Sequence, residues 1–441
     1  MKKNNYYKLM GIVFAAISLT ACDDYQNAAI GYEDVQSDPS KTTATAPDLK
    51  SLWQLKEVIN IGQHNDNVFV YQDYLYNSIF SRTLGWNGGE VQSSVKMPDG
   101  SVVFVVKDSY FGTVDGKTRA RIDGNSVRNS LLMLTIKNGT ISEPSDKDFY
   151  SLNKFVQTSD PNAPEYYYGT PIITHSKSTY HYWPGVACQY NGKIQVQWIA
   201  YRTSLGRRDN CGIYTYSTNG NPGDVDYLKT DSSVDPLFAN YIAYDDYLWQ
   251  DDDGHNYMYC AYQLSGINGV LVARTATHDL TSEWEYCIRN TDGQITWSKT
   301  MPTATLTTAS DEALRSNMLE NNGGCQHPQV IKKGNYYYLI GQSYPNLADV
   351  RIWRSETPYG PFTSAKTLFV VPETINKLGN QYYNELLRVA LHPALSRSGE
   401  LVFSTAQTAP TAKDNFTYPG SADYVRPSFY RIYNWESLFG E

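Results

Sequence analysis

Two carboxylates bracket one short stretch of this chain. In "GWNGGEVQSSVKMPDGSVVFVVKDSYFG", residues 85 to 112, Glu90 opens a strand-like run and Asp108 closes the next. Pro98-Asp99-Gly100 fits a type I turn followed by a left-handed glycine, the three-residue hairpin loop with a bulge. In that register Met97 pairs with Ser101 and Glu90 faces Asp108. Opposed side chains have Cβ atoms roughly 5 Å apart, where like charges weaken a sheet. Such a pair does supply proton chemistry, because two close carboxylates ionise together only at a cost and one keeps its proton as a general acid. Two other readings stand beside it. A two-residue loop, or the Gly88-Gly89 pair, would carry the groups apart, and two solvated rim carboxylates would need no function.

Other candidates lie just ahead of strand-like runs. "STYHYWPGVACQYNGK" carries Tyr180, His181, Tyr182 and Trp183. Flat aromatic faces stack on sugar rings and the polar tips hold hydroxyls, although a Trp-Pro corner packed into a core is an equal reading. Trp86 belongs to the same contact class. "GGCQHPQV" presents Gln326 and His327, and "LRVALHPAL" presents His392. A lone His is usually structural; matching His-Pro pairs weaken that reading and leave a channel-facing position as an equal one. Arg128 and Asn129 can hold a carboxylate or a sugar hydroxyl. "QDDDG" at 250 to 254 lacks EF-hand spacing and reads as a solvated turn. No cofactor is expected, and a structural calcium is left open. GxSxG, P-loop and HExxH patterns do not occur, so serine hydrolase, nucleotidase and zincin readings lack support.

The elements that must position these residues are strands. Thirty-seven tyrosines, frequent Val, Ile and Trp, and glycine-centred turns predict an all-β protein. Helical turns are expected only within 311–322 and in "NKLGNQYYNELLRVAL". A strand–glycine turn–strand unit recurs with its glycine at Gly100, Gly192, Gly254, Gly334 and Gly399, spaced 92, 62, 80 and 65 residues apart. Each unit is followed by a second strand-rich segment. Five inner hairpins, each with an outer pair, predict a five-bladed β-propeller, because a four-stranded blade buries its faces only against its neighbours. The early strand "DNVFVYQDY" is expected to complete the last blade and close the ring.

The chain begins with lysines, an apolar run from Leu9 to Leu19 and "LTAC". Residues 1–21 read as a lipoprotein signal peptide with Cys22 as the lipidated mature N-terminus; an ordinary signal peptide cut nearby is the alternative. Residues 22–50 are expected to be a disordered tether, Thr/Ala/Pro-rich at 36–48, and 51–441 the propeller domain. Lipid places the protein on a membrane and not in it. Asp23 and Asp24 resemble the export signal of Bacteroides-group surface lipoproteins, which favours the outer face of the outer membrane over the periplasmic one. Loss of Lys2, Lys3 and Lys8 takes the formal charge from -8 to -11, which excludes nucleic acid as a partner. A monomer is expected. Five further cysteines, at 188, 211, 260, 287 and 325, have no zinc-like spacing. They read as buried thiols, with a Cys260–Cys287 bridge as an option.

Several quoted segments, together with "RNS", "YWPG", "QHPQVIKKGNYYYLI", "PYGPF" and "VRPSFYRI", occur in an order that resembles a family of secreted bacterial propellers long called a domain of unknown function. The resemblance spans roughly residues 55 to 438. That family is similar to arabinanase, xylosidase and levansucrase-type glycoside hydrolases, and one branch includes endo-D-arabinanases. The resemblance implies a five-bladed propeller that hydrolyses glycans with a carboxylic acid and a carboxylate around an oxocarbenium-like transition state. Relatives usually carry aspartate at the position of Glu90, and often an acid where this chain has Val186. A second catalytic carboxylate would then come from elsewhere, Glu385 and Asp245 being the candidates. The leading expectation is a surface glycoside hydrolase acting on a polysaccharide or oligosaccharide through Glu90 and Asp108. Its rivals are a catalytically silent glycan-binding lipoprotein and an adhesion or assembly module.

Overall fold

The computed structural model of the chain describes residues 55–57, 68–135, 149–156, 168–205, 207–218, 225–232, 244–264, 267–302, 315–320, 324–343, 349–371, 376–378, 381–383, 386–397, 399–408, 415–416 and 418–440. The leader, Cys22, the tether and Glu385 lie outside these residues. The main sheets are five antiparallel sheets of four or five strands. Their innermost strands are Leu84–Lys96, Tyr180–Tyr190, Tyr247–Gln250, Cys325–Lys333 and Leu386–Leu391. Each innermost strand packs on that of the next sheet and the fifth packs on the first, so the sheets close a ring around one axis. The chain is a five-bladed β-propeller, as the repeat predicts.

Alternation along the strands explains why five blades cohere. In "VVFVV", Val102, Phe104 and Val106 enter a core layer shared with blade five. Val103 and Val105 enter the layer shared with blade two. The same division puts Met258 and Cys260 between blades two and three, and Tyr257 and Tyr259 between blades three and four. A fifth layer joins blades four and five. Successive side chains point to opposite faces, so a strand buried on both faces reads as an unbroken apolar run. The five repeat glycines all sit in hairpin turns with φ between 58° and 93°, where a Cβ is disfavoured.

Ring closure is made by the N-terminal segment. Phe69–Asp73 pairs with Ser428–Tyr433 in antiparallel register, Phe69 opposite Tyr433. Arg431 ties the early strand to the last blade: Nε donates to Asp73 Oδ2 at 2.6 Å and Nη1 to Glu400 Oε2 at 2.5 Å, both buried. Asp73 also caps the short helix Tyr74–Phe80, accepting the Tyr76 amide at 3.1 Å. Ile79 and Phe80 of that helix enter the layer between blades five and one.

Two expectations are corrected. The segment "NKLGNQYYNELLRVAL" contains no helix among its described residues; it forms strands Asn376–Leu378, Gln381–Tyr383 and Leu386–Leu391. Burial of Val389 and Leu391 between blades overrides their helix-compatible spacing. No Cys260–Cys287 bridge forms: all five described cysteines are buried thiols. Cys260 and Cys287 lie in core layers on opposite faces of blade three, which no disulfide spans. Of 311–322, the described part passes through a turn and a bridge from Leu319 to Phe362.

Candidate functional site

The hairpin turn forms as its residues dictate. The Met97 amide donates to the Ser101 carbonyl at 2.8 Å, and Lys96 pairs with Val102. Ser93 still pairs with Val105, but a bulge then shifts the register: Val91 faces Val106 and Glu90 faces Lys107. The expected Glu90–Asp108 opposition is therefore wrong by one residue. Each one-residue slip reverses the face a side chain occupies. Asp108 itself takes φ 41°, a left-handed conformation uncommon for a side-chain-bearing residue. It leaves the axis for the rim, where Oδ1 accepts Arg128 Nη1 at 2.8 Å and Trp183 Nε1 at 3.2 Å.

Glu90 is buried and turns inward. The Gly88-Gly89 pair delivers it there. A Cβ on Gly88 would collide with Arg121 Nη2 and the Val425 carbonyl. Arg121 is fully buried and holds Asn87 through Nε to Oδ1 at 2.8 Å, while Tyr110 stacks beneath its guanidinium at 4.3 Å. Burial lowers the Arg121 pKa to about 10, with charge from Tyr110 and Asp423 opposing the shift.

On the axis Glu90 meets groups from three other blades. Arg388, 1% exposed, places Nη1 3.7 Å from Glu90 Oε1 and 3.9 Å from Asp246 Oδ1. Its Nη2 donates to the Asp246 carbonyl at 2.9 Å. His327 Nδ1 lies 3.0 Å from Asp246 Oδ1 and 2.9 Å from Arg388 Nη1. That nitrogen donates to the carboxylate in one tautomer or accepts from the guanidinium in the other, never both at once. The Ala261 amide donates to Asp246 Oδ2 at 2.8 Å. Burial works to raise the Asp246 pKa, but the His327 contact, Arg388 and the Ala261 amide prevail and hold it well below the usual carboxylate range. His327 has φ 51°, a second strained backbone at the same centre. Both carboxylates touch one guanidinium, so they are no more than about 8 Å apart, within the separations used by glycosidase acid pairs.

The remaining candidates divide. Tyr180, His181 and Trp183 form a half-buried aromatic rim on blade two, Trp183 and Tyr201 having ring centroids 4.4 Å apart. Arg128 reaches this rim through Asp108. Gln326 precedes His327 on the inner strand of blade four and pairs with Gln342. Three candidates are excluded from contact with a ligand. Trp86 is 3% exposed and packs on Phe80 and Phe149. Asn129, 1% exposed, bonds the Ile173 and Tyr182 carbonyls and stitches blade one to blade two. His392 is fully buried between Ser94 and Ser404, and burial together with Arg388 lowers its pKa to about 3.

Val186 packs in the layer between blades two and three, so blade two offers no acid at that position. Asp245 is buried, its carbonyl accepting Gln92 Nε2 at 2.8 Å; its neighbour Asp246 is the axial residue. Sequence reasoning missed Asp246 and Arg388. A usable signal exists: Glu90, Asp246, His327 and Arg388 all stand seven to eleven residues ahead of a repeat glycine. Among the described residues no cluster of three or more His, Cys, Asp or Glu is arranged to hold a metal ion. Asp253 of "QDDDG" accepts the His255 amide and the Tyr257 hydroxyl, as a turn carboxylate does.

A family model described as a domain of unknown function, DUF5005, matches residues 73–435. A crystal structure from Bacteroides ovatus ATCC 8483, provisionally described as that of a hydrolase, is 38% identical, with a TM-score of 0.78 over 90% of this chain and 98% of that one. More distant are the GH43_1 enzyme from Xanthomonas citri complexed with xylotriose, at 15% identity and TM-score 0.37 over 80% and 91% of the two chains. An exo-1,5-alpha-L-arabinanase from a bovine ruminal metagenomic library has 14% identity and TM-score 0.37 over 80% and 95%. No curated protein matches the chain.

Proposed function

Taking as premise that the chain belongs to the DUF5005 family, we propose that it is a glycan-active hydrolase, a glycoside hydrolase whose reacting carboxyl groups are Glu90 and Asp246. The observation that carries this reading is the axial constellation: two carboxylates from different blades share one buried guanidinium. Asp246, held ionised by its partners, is suited to stabilise an oxocarbenium-like transition state or to activate water. Among the described residues Glu90 has no hydrogen-bond donor as close as those of Asp246, and it is the carboxyl assigned to protonate the leaving oxygen. Asp108 serves the rim, orienting Arg128 and Trp183, and does not form the acid pair. Lipidation at Cys22 and display on the outer membrane belong to the same proposal, as does arabinan as the first substrate to screen.

A polysaccharide panel with reducing-end detection tests it. Release of reducing ends by the native protein, falling roughly 10²–10⁴-fold in Glu90→Gln, is the expected outcome. Full activity in Glu90→Gln refutes the assignment. The second reading is a silent glycan-binding protein, favoured by the burial of Val186 where relatives carry an acid; it prevails if glycans bind and none in the panel is cut.

A further inference from the structure

Both oxygens of Asp246 are engaged within the protein. Oδ2 accepts the Ala261 amide at 2.8 Å, and Oδ1 faces His327 Nδ1 at 3.0 Å. The imidazole has its two nitrogens in different settings. Nδ1 is held by Asp246 and Arg388, whereas Nε2 has no partner among the described residues and, on a side chain 20% exposed, stays open to solvent. The backbone is built to hold the ring there. A bulge between Gln326 and Gln329 interrupts the strand, and His327 takes φ 51°. Gln329 Nε2 clamps the His327 carbonyl at 3.2 Å and the Val389 carbonyl, on the next blade, at 2.7 Å. A strained backbone of this kind persists only where its surroundings fix it.

The charged groups around the ring decide where its proton sits. They are Asp246, Arg388 and, across the guanidinium, Glu90. Arg388 Nη1 stands 2.9 Å from Nδ1, but its two hydrogens also have Glu90 at 3.7 Å and Asp246 at 3.9 Å to turn to. Asp246 Oδ1 has no donor nearer than Nδ1 among the described residues. A proton on Nδ1 therefore completes the carboxylate and leaves a lone pair on Nε2. A buried carboxylate behind an imidazole also stabilises the imidazolium that forms when the far nitrogen takes a proton. We propose that Asp246 and His327 form a dyad in which His327 Nε2 is the base of the axial site, removing the proton of the water that attacks the anomeric carbon. This rests on the glycan-active reading above and names the atom through which Asp246 acts on water. As the water oxygen bonds to the anomeric carbon, one of its protons passes to Nε2. The glycosidic bond breaks, and its electron pair goes to the leaving oxygen, which takes the proton of Glu90. The imidazolium then returns its proton to the Glu90 carboxylate through solvent, so that one water is consumed and the dyad is reset. Arg388 Nη1 links Glu90 to Nδ1, so Nε2 lies no more than roughly 9 Å from Glu90, within the upper bound for an acid and a base with water between them.

Diethyl pyrocarbonate on the full chain, read by peptide mass mapping at neutral pH, tests the dyad without any glycan, because the reagent acylates an unprotonated imidazole nitrogen that solvent reaches. His327 should be labelled in the native protein and His392, fully buried, should not. In Asp246→Asn the Ala261 amide selects the new side-chain oxygen, so its NH₂ faces Nδ1 and the ring proton moves to Nε2. Labelling of His327 should then slow roughly tenfold or more. His327→Asn keeps an amide near the place of Nδ1 and removes Nε2. Its hydrolysis of whichever glycan the panel identifies should fall roughly 10²–10⁴-fold, with glycan binding and thermal melting close to native. Native His327 that resists the reagent while the urea-unfolded chain is labelled, or equal labelling in Asp246→Asn, overturns the proposal. Hydrolysis lost in Glu90→Gln but kept in His327→Asn removes the dyad alone. Asp246-dependent labelling without hydrolysis of any glycan removes the hydrolase alone.

Discussion

Replacing Arg388 by methionine removes the cation at the centre of the ring and keeps an unbranched apolar stem. The guanidinium lies 3.7 Å from Glu90 and 3.9 Å from Asp246. At an effective dielectric of about 20 each contact is worth roughly 4 kcal/mol of Coulomb attraction, much of it offset by desolvation. Removing one member of such a buried set leaves the others buried and uncompensated, at a cost of about 3–5 kcal/mol. Urea denaturation at pH 7 should show a loss of that size for Arg388→Met. The pH dependence has a definite sign. A carboxyl whose pKa is depressed on folding, as that of Asp246 is, contributes stability that is fully present above its unfolded value of about 3.9 and is lost as pH falls through the folded one. Without Arg388 that depression shrinks, so the gap between native and variant proteins is full at neutral pH and narrows below about pH 4. Adding Glu90→Gln to the variant removes one uncompensated charge and should return roughly 1–2 kcal/mol through the coupling of neighbouring sites. A loss under about 1 kcal/mol at pH 7, or a gap that widens on acidification, refutes the view that this guanidinium holds the axial carboxylates together.

Two further perturbations probe the scaffold. Arg431→Met should cost about 3–5 kcal/mol and speed hydrogen exchange in Phe69–Asp73, because Asp73 and Glu400 lose their shared partner; unchanged exchange there would show that backbone pairing alone closes the ring. Burial opposes but Arg431 and Arg397 prevail in lowering the Glu400 pKa, so this closure should hold above about pH 4.3 and loosen as pH falls through the folded value. In a chain lacking Cys22, the thiols of Cys188, Cys211, Cys260, Cys287 and Cys325 should resist a thiol reagent until denaturant is added, Cys287 being pushed up to about 12 chiefly by burial. Rapid labelling of any of them in the native protein contradicts the core layers described.

The gross architecture was legible because its causes are local and repeated. A glycine turn between two apolar runs, five times over, states both the hairpin and the need for neighbours on each face. "DNVFVYQDY" was readable as the closing strand for the same reason. The site was legible only in part. His327 and the blade-two aromatics could be picked out because they open inner strands, but Trp86 opens that of blade one and turns into the core, as do Asn129, on the third strand of that blade, and His392, just past the inner strand of blade five. Asp246 sits in "YDDYL", which reads as solvated, and Arg388 in "LLRVAL", where one charge in an apolar run was the only hint of a buried partner.

Strand number, turn type and ring closure are therefore properties of the sequence taken by itself, because backbone sterics and apolar alternation act over a few residues. Which carboxylates meet was decided by tertiary structure alone. One unpaired residue near Gln92 reverses the face on which Glu90 emerges, and a bulge of that kind leaves no mark in composition. Glu90, Asp246, His327 and Arg388 come from blades separated by dozens of residues, and only closure of the ring brings their charges within reach of one another.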